Sequence, residues 1–189
     1  MPEVKLEEVR KIRLQKINKL RELGINPYPS KVDGEPKAVS IALDSLGKTV
    51  EVAGRLVAWR EHGNVIFADL KDESGQIQLW FQKNVLNSEF KILKLVDLGD
   101  YLYAKGDVVK TKAGETSLSV NKFQILSKSL RQLPSIWYGV KDVEEKYRKR
   151  YLDLLLNEGV MDRFKARTKC LKVNTNNKTI KTVPCFIAF

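Results

Sequence analysis

The chain has 189 residues, with 34 Lys+Arg against 23 Asp+Glu, a formal net charge of +11 and 43% apolar residues. That apolar share supplies a packed core and excludes wholesale disorder, and no apolar run nears the roughly 20 residues that cross a bilayer, which excludes a membrane-spanning helix. A single histidine, His62, and two distant cysteines, Cys170 and Cys185, exclude His-rich metal chemistry, a CxxC metal site and a disulfide scaffold.

The N-terminus is charged throughout and has no apolar signal core. A cytoplasmic protein held under reducing conditions, with no membrane partner, is therefore expected. The basic excess raises the expectation of a phosphate-rich partner. It is unevenly placed: residues 159–189 carry seven Lys/Arg and one acid, a net +6.

In chain order, residues 6–23 come first and read as an amphipathic helix. At about 100° per residue, Leu6, Val9, Ile12, Ile17, Leu20 and Leu23 share one broad stripe, Leu14 falls outside it, and Lys and Arg fill the other face. Gly24 supplies a helix stop, and Asn26-Pro27-Tyr28-Pro29 prevents resumption. Such a helix either packs on the domain with its basic face in water or also touches nucleic acid.

Residues 49–128 are strand-rich. Five segments, 50–60, 65–71, 76–83, 101–111 and 116–126, have strand composition. His62-Gly63-Asn64, Asp72-Glu73-Ser74-Gly75 and Lys112-Ala113-Gly114 carry the turn chemistry between them. Residues 85–98, between the third and fourth segments, have helical spacing in Phe90, Leu93 and Leu95. Five strands with a helix after the third match the Greek-key barrel of the OB-fold, whose strand 2–3 face commonly binds oligonucleotides. The fold class expected is therefore mainly β with flanking helices: a five-stranded OB-fold barrel, preceded by an N-terminal amphipathic helix and followed by a helical connector.

Successive strand residues point to opposite sides. Val52, Gly54, Leu56 and Ala58, then Ile66, Ala68 and Leu70, then Ile77, Leu79 and Phe81 belong to the core side. The opposite parity holds Arg55, Val57 and Trp59, then Val65, Phe67 and Asp69, then Gln76, Gln78 and Trp80. Rings, an amide and a guanidinium on one face suit unstacked bases, because aromatic rings stack on base faces while Gln and Arg read base edges. The other reading of the same face is that Trp59, Phe67 and Trp80 cover the barrel beneath the N-terminal helix.

Beyond Leu126, Arg131-Gln132-Leu133-Pro134 and Tyr138-Gly139 read as a connector, and residues 143–157 as helical. His62, in a hairpin turn, reads as a solvated loop histidine. Neither cysteine has a partner pattern for nucleophilic or metal work, so no catalytic or metal-binding residue is assigned.

A series of patches in order resembles the class II lysyl-tRNA synthetases. Leu20-Arg21-Glu22-Leu23-Gly24-Ile25-Asn26-Pro27-Tyr28-Pro29 is similar to the lead-in of that family's N-terminal domain. Val52-Ala53-Gly54-Arg55, Phe67, Gln76-Ile77-Gln78-Leu79, Leu98-Gly99-Asp100 and Lys110-Thr111-Lys112-Ala113-Gly114-Glu115 are similar to its barrel strands. Residues 126–133 resemble its way out of the barrel. Asp142, Glu144, Tyr147-Arg148-Lys149-Arg150-Tyr151-Leu152-Asp153-Leu154 and Asn157 resemble its junction with the catalytic domain, and Phe164-Lys165-Ala166-Arg167 the helix after it. The patches cover about residues 6–172.

The resemblance implies a layout of four parts: residues 1–30 as helix and Pro-rich lead-in, 31–130 as anticodon-binding OB domain, 131–172 as connector and start of a class II catalytic domain, and 173–189 as an aberrant tail. It implies that the barrel binds the U-rich anticodon of a lysine tRNA. Phe67 would stack on the central uridine. Gln78, eleven residues later, would hydrogen-bond that base, and Arg55 would contact it or its flanking backbone. Glu115 would accept from the N3–H of a flanking uridine; without the resemblance it reads equally as a solvated turn carboxylate. Uracil offers two carbonyl acceptors and one N–H donor: an amide satisfies both kinds, a guanidinium only the acceptors, a carboxylate only the donor.

Full-length members use ATP and Mg²⁺ to activate lysine and form homodimers. No cofactor is expected in this chain, which shows none of the family's catalytic arginine motifs. Alone it is expected not to aminoacylate, and lysine-dependent ATP–pyrophosphate exchange by the chain would overturn that expectation.

The chain departs from the family at Gln132, which stands where the connector normally has proline, and after Lys172. From Val173 onward helical periodicity is lost and Asn and Thr accumulate. This is read as a break in the reading frame near Lys172; a genuine stop at the locus, with no downstream frame for a catalytic domain, would sink it. Two other identities fit parts of the pattern. One is a non-catalytic OB-fold nucleic-acid-binding protein, which has no use for the 147–154 junction. The other is the same part of an aspartyl- or asparaginyl-tRNA synthetase, which shares the Phe–Gln pair. The Gly24–Pro29 lead-in, Glu115 and the junction favour the lysyl member.

Overall fold

Period-two alternation in the middle of the chain becomes five strands: β1 (Thr49–His62), β2 (Val65–Lys71), β3 (Gln76–Gln82), β4 (Tyr101–Lys110) and β5 (Thr116–Ser127). The structure, a computed structural model, describes residues 6–111, 114–131, 143–157 and 159–176. It divides into two units, Met1–Gln132 and Leu133–Phe189. In the first, the strands close into a barrel in the order β1-β2-β3-β5-β4. Every neighbouring pair is antiparallel except β3 with β5, which is parallel. With its flanking helices, this is the OB-fold architecture.

The core takes the expected alternate residues, including Val52, Leu56, Ile66, Ala68, Leu70, Ile77, Leu79 and Phe81. Gly54 lies among them because a side chain would not fit: a Cβ there would sit 2.6 Å from the Lys71 carbonyl oxygen. The β2–β3 turn is built on Asp72, whose Oδ1 accepts the N–H groups of Ser74 at 2.7 Å and Gly75 at 2.9 Å. Its Oδ2 accepts the Val39 N–H at 2.9 Å, which ties that turn to a short helix, α2 (Val39–Leu43). Five residues are too few to show helical periodicity, and α2 is not legible in the sequence.

One part of the face assignment is corrected. Pairing of β1 with β2 shifts register between Leu56 and Ala58. A bulge adds one residue and so inverts the parity of everything beyond it. Ala58 therefore lies opposite Asp69 and Trp59 opposite Ala68. Trp59 packs against the core, 6.2 Å from the Phe81 ring, instead of joining the outer face. Arg60 takes the place opposite Phe67.

The N-terminal helix α1 (Leu6–Glu22) ends as expected at Gly24, which has φ +75°. The Ile25 N–H bonds the Leu20 carbonyl at 2.9 Å and the Gly24 N–H the Arg21 carbonyl at 3.0 Å, which closes a Schellman cap. The buried face differs from the expected stripe. Ile17 and Leu20 are buried, but Ile12 and Leu23 are 51% and 62% exposed, and Arg13 is only 6% exposed. Arg13 donates to the carbonyls of Ser129 at 2.7 Å and Leu98 at 3.1 Å. Lys16 pairs with Asp97. The helix is thus held by polar contacts as much as by apolar ones, which an apolar stripe does not reveal.

Those contacts converge on a buried ion pair. Lys128 and Asp100 are both fully buried and bonded to each other. Lys128 Nζ also donates to Asp97 at 2.8 Å and to the Leu95 carbonyl at 2.6 Å. Asp100 accepts the N–H groups of Ser129 and Asp97, each at 2.7 Å. The segment between β3 and β4 is therefore pinned to the end of β5. It holds a short helix, α3 (Lys83–Leu86), and a 3₁₀ helix (Asn87–Leu95) in place of the single helix expected over 85–98. Asn87, at φ +46°, breaks the run, while Phe90 and Leu93 face inward as their spacing predicts.

The second unit contains α4 (Val143–Arg148), α5 (Arg150–Leu156) and α6 (Val160–Asn176). Arg150 Nη1 donates to buried Asp153 at 2.6 Å, and its guanidinium lies 4.6 Å from the Tyr147 ring and 5.7 Å from the Phe164 ring. Asn157 holds the other Asp153 oxygen at 2.6 Å. Tyr147, Arg150, Asp153, Asn157 and Phe164 thus form one local cluster, while Asp142 lies outside the described residues. Helix α6 continues past Lys172 to Asn176. The remainder of the 173–189 tail lies outside the described residues, as does Gln132.

Burial pushes the Asp97 carboxyl up, but hydrogen bonds and charge from Lys128 and Lys16 outweigh it and hold the group below its ordinary value. A depressed carboxyl contributes stability above the ordinary carboxylate range and loses it as pH falls towards the native value. Replacing Lys128 by Met leaves two carboxylates without their shared buried cation, at an expected cost of about 3–5 kcal/mol near pH 7. The penalty should shrink on acidification, as Asp97 protonates. Denaturant unfolding of both proteins across pH 3–7 checks this, and a penalty independent of pH contradicts it.

Candidate nucleic-acid interface

The outer face of β2 and β3 is built by strand register. Phe67 lies opposite Trp80 and Asp69 opposite Gln78. On the far side of β3, Gln78 lies beside Ser117 in the parallel pairing with β5. The Phe67 and Trp80 rings are nearly parallel, 11° apart with centroids at 6.2 Å, and both are half-buried. Each ring is thus partly covered and partly accessible. The Trp80 indole N–H is buried and has no acceptor among the described residues.

Gln78 is held at both ends of its amide. Nε2 donates to Glu115 Oε2 at 2.7 Å, and Oε1 accepts the hydroxyl of the fully buried Ser117 at 2.7 Å. Glu115 owes its place to the turn before β5: its carbonyl accepts the Thr111 N–H at 2.9 Å, and Gly114 adopts φ +84°. An L-residue rarely takes that conformation, so the glycine is what lets the turn close.

Arg55 occupies the same face but the other end of it. It lies opposite Lys71, four residues from Phe67 along β2, or about 13 Å at the usual rise. Its Nε donates to the Gly99 carbonyl at 3.0 Å and its guanidinium lies 5.1 Å from the centre of the Tyr101 ring. Gly99 is in turn bonded to Leu56 at 2.9 Å. The turn that buries Asp100 therefore also positions Arg55.

Of the four residues expected from the sequence, Gln78 and Glu115 meet at β3, Phe67 lies diagonal to Gln78 across the β2–β3 pairing, and Arg55 stands further along the face. Two further residues went unnoticed. Arg60 is opposite Phe67 and pairs with Asp69 at 3.1 Å; only the bulge puts it there, and a bulge leaves no mark in composition. Ser117 is a small polar residue in a strand, and nothing but the β3–β5 register connects it to Gln78. The polar contacts of α1 described above run to Asp97, Leu98 and Ser129, and Phe67 and Trp80 face each other.

An accessible ring, an amide with a fixed orientation, a carboxylate and two guanidinium groups are the chemistry that receives an unstacked base and its phosphates. Among the described residues, no group of three or more His, Cys, Asp or Glu is placed to hold a metal ion. No helix among them is long and apolar enough to cross a membrane.

Residues 50–126 match the tRNA_anti-codon family, an OB-fold nucleic acid binding domain. The barrel is therefore similar to nucleic-acid-binding domains of the OB class. Across most of its length the chain is also similar to lysine–tRNA ligases, so the resemblance read from the sequence holds. It is 41% identical over 178 residues to the lysine–tRNA ligase of Syntrophomonas wolfei, covering 92% of this chain and 36% of that protein. It is 44% identical over 168 residues to lysine–tRNA ligase 2 of Methanosarcina mazei, covering 84% and 33%. Against the Clostridium botulinum lysine–tRNA ligase it is 42% identical over 175 residues, covering 90% and 35%. The chain spans about a third of the length of the curated relatives it matches.

Proposed function

We propose that the barrel reads the U-rich anticodon loop of a lysine tRNA, as the anticodon-binding part of a lysine–tRNA ligase. The observation that carries this is a Gln78 amide held at both ends, on the same face as the Phe67 ring and diagonal to it across the β2–β3 pairing. A ring binds any base by its face, and an amide adds one donor and one acceptor at the base edge, which is the pair that a uracil edge requires. In this reading Phe67 stacks on the central base and Gln78 pairs with its edge. Glu115 keeps Oε1 to accept from the N3–H of a flanking uridine. Arg55, about 13 Å along the face, suits the backbone flanking the read base. Lysine activation with ATP and Mg²⁺, and dimerisation, belong in this proposal to the full-length ligase.

The reading is tested by affinity for a UUU anticodon stem-loop at fixed salt, since phosphate contacts alone give salt-dependent binding without sequence preference. Phe67→Ala should weaken binding roughly 10–100-fold, as loss of one base–ring stack does, and leave the salt dependence nearly unchanged. Binding that Phe67→Ala does not weaken would reduce the protein to a basic OB module.

A further inference from the structure

We propose that Glu115 fixes the sense in which Gln78 presents its amide, and so discriminates uracil from cytosine at a base it does not itself touch. This rests on the anticodon reading above and adds to Glu115 a task distinct from direct contact with a flanking uridine.

The basis is the chemistry of the two contacts at Gln78. A carboxylate offers acceptors only, so the end of the amide facing Glu115 Oε2 at 2.7 Å has to be the NH₂ group. Turning the amide over would set two acceptor oxygens against each other at that separation. The second contact carries no such information. The Ser117 hydroxyl donates to Oε1 at 2.7 Å, but a hydroxyl can equally accept and would serve a reversed amide as well. Glu115 therefore chooses the sense, and Ser117 steadies whichever sense is chosen. After both contacts, the amide keeps one further N–H on Nε2 and one further lone pair on Oε1 for a ligand.

The consequence follows from the order of groups on a pyrimidine edge. Uracil has an acceptor at position 4 beside a donor at position 3. Cytosine has a donor at position 4 beside an acceptor at position 3. The two edges are mirror images in donor–acceptor order. An amide free to turn over matches either base and discriminates neither, whereas a held amide matches one order only. On the anticodon reading that order is uracil's. Phe67 cannot supply this selectivity, because a stacking ring accepts both pyrimidines. Glu115 is thus a positioning residue for specificity. It is exposed on the surface, so replacing its side chain leaves the barrel core intact.

The test uses the full 189-residue chain and two anticodon stem-loops, one with UUU and one with C at the central position. Glu115→Gln keeps the size of the side chain but lets it donate or accept, which releases the Gln78 amide. Wild type should prefer the central uridine roughly tenfold or more, as one mismatched bidentate contact dictates. Glu115→Gln should bring the two loops to within about threefold, chiefly because the C-containing loop gains affinity. A gain for the wrong base is not produced by structural damage or by loss of a flanking contact. A ratio unchanged from wild type, or one that falls only because the UUU loop is lost, overturns the role given to Glu115. Absence of any preference in wild type overturns the anticodon reading on which it rests.

Discussion

The short parallel pairing of β3 with β5 is the constraint on which the candidate site depends. It closes the barrel, and it alone brings the turn before β5 alongside β3. Its register places Gln78 beside Ser117 and so within reach of Glu115. Shifted by one residue, it would move Gln78 to a partner on the other face, because side chains alternate. Amide, hydroxyl and carboxylate belong to segments far apart in sequence, and their meeting is a product of topology. Barrel closure and the meeting of these three groups are in this sense one feature of the fold.

A second constraint works from the opposite end of the barrel. The buried Lys128–Asp100 pair joins the end of β5 to the turn before β4. That turn bonds Leu56 through Gly99 and Asp100, each at 2.9 Å, and the Gly99 carbonyl receives Arg55. A fully desolvated ion pair is weak evidence of net stability, since its formation costs both ions their hydration. What it provides here is definition: with its remaining acceptor sites filled by backbone N–H groups, the turn has one arrangement, and Arg55 and α1 inherit their positions from it. The basic residues of α1 that point inward, Arg13 and Lys16, serve this network, which argues against treating the whole helix as a phosphate-binding surface.

Much of this was legible in the sequence, and the rest was hidden for definite reasons. Strand boundaries, the Gly24 stop and the shared face of Phe67 and Gln78 follow from period-two alternation and turn chemistry, which are local. Alternation misplaces Trp59 because the bulge after Leu56 inverts parity, and the alternation itself gives no sign of an added residue. Ile12 and Leu23 were assigned to the buried face of α1 because apolar spacing cannot register that Arg13 and Lys16 have carbonyls and a carboxylate waiting for them. Ser117 and Arg60 escaped notice because their significance lies wholly in cross-strand neighbours. The pattern reports which residues share a face; only register reports which of them touch.

The most direct measurement of the central claim is site-specific photo-crosslinking, with 4-thiouridine at the central anticodon position of a lysine-type stem-loop and the adduct located by mass spectrometry. Adducts are expected on the β2–β3 face, in peptides containing Phe67 or the Gln78–Trp80 stretch. Adducts confined to the basic helices α1 or α6, with none on β2 or β3, would contradict that claim.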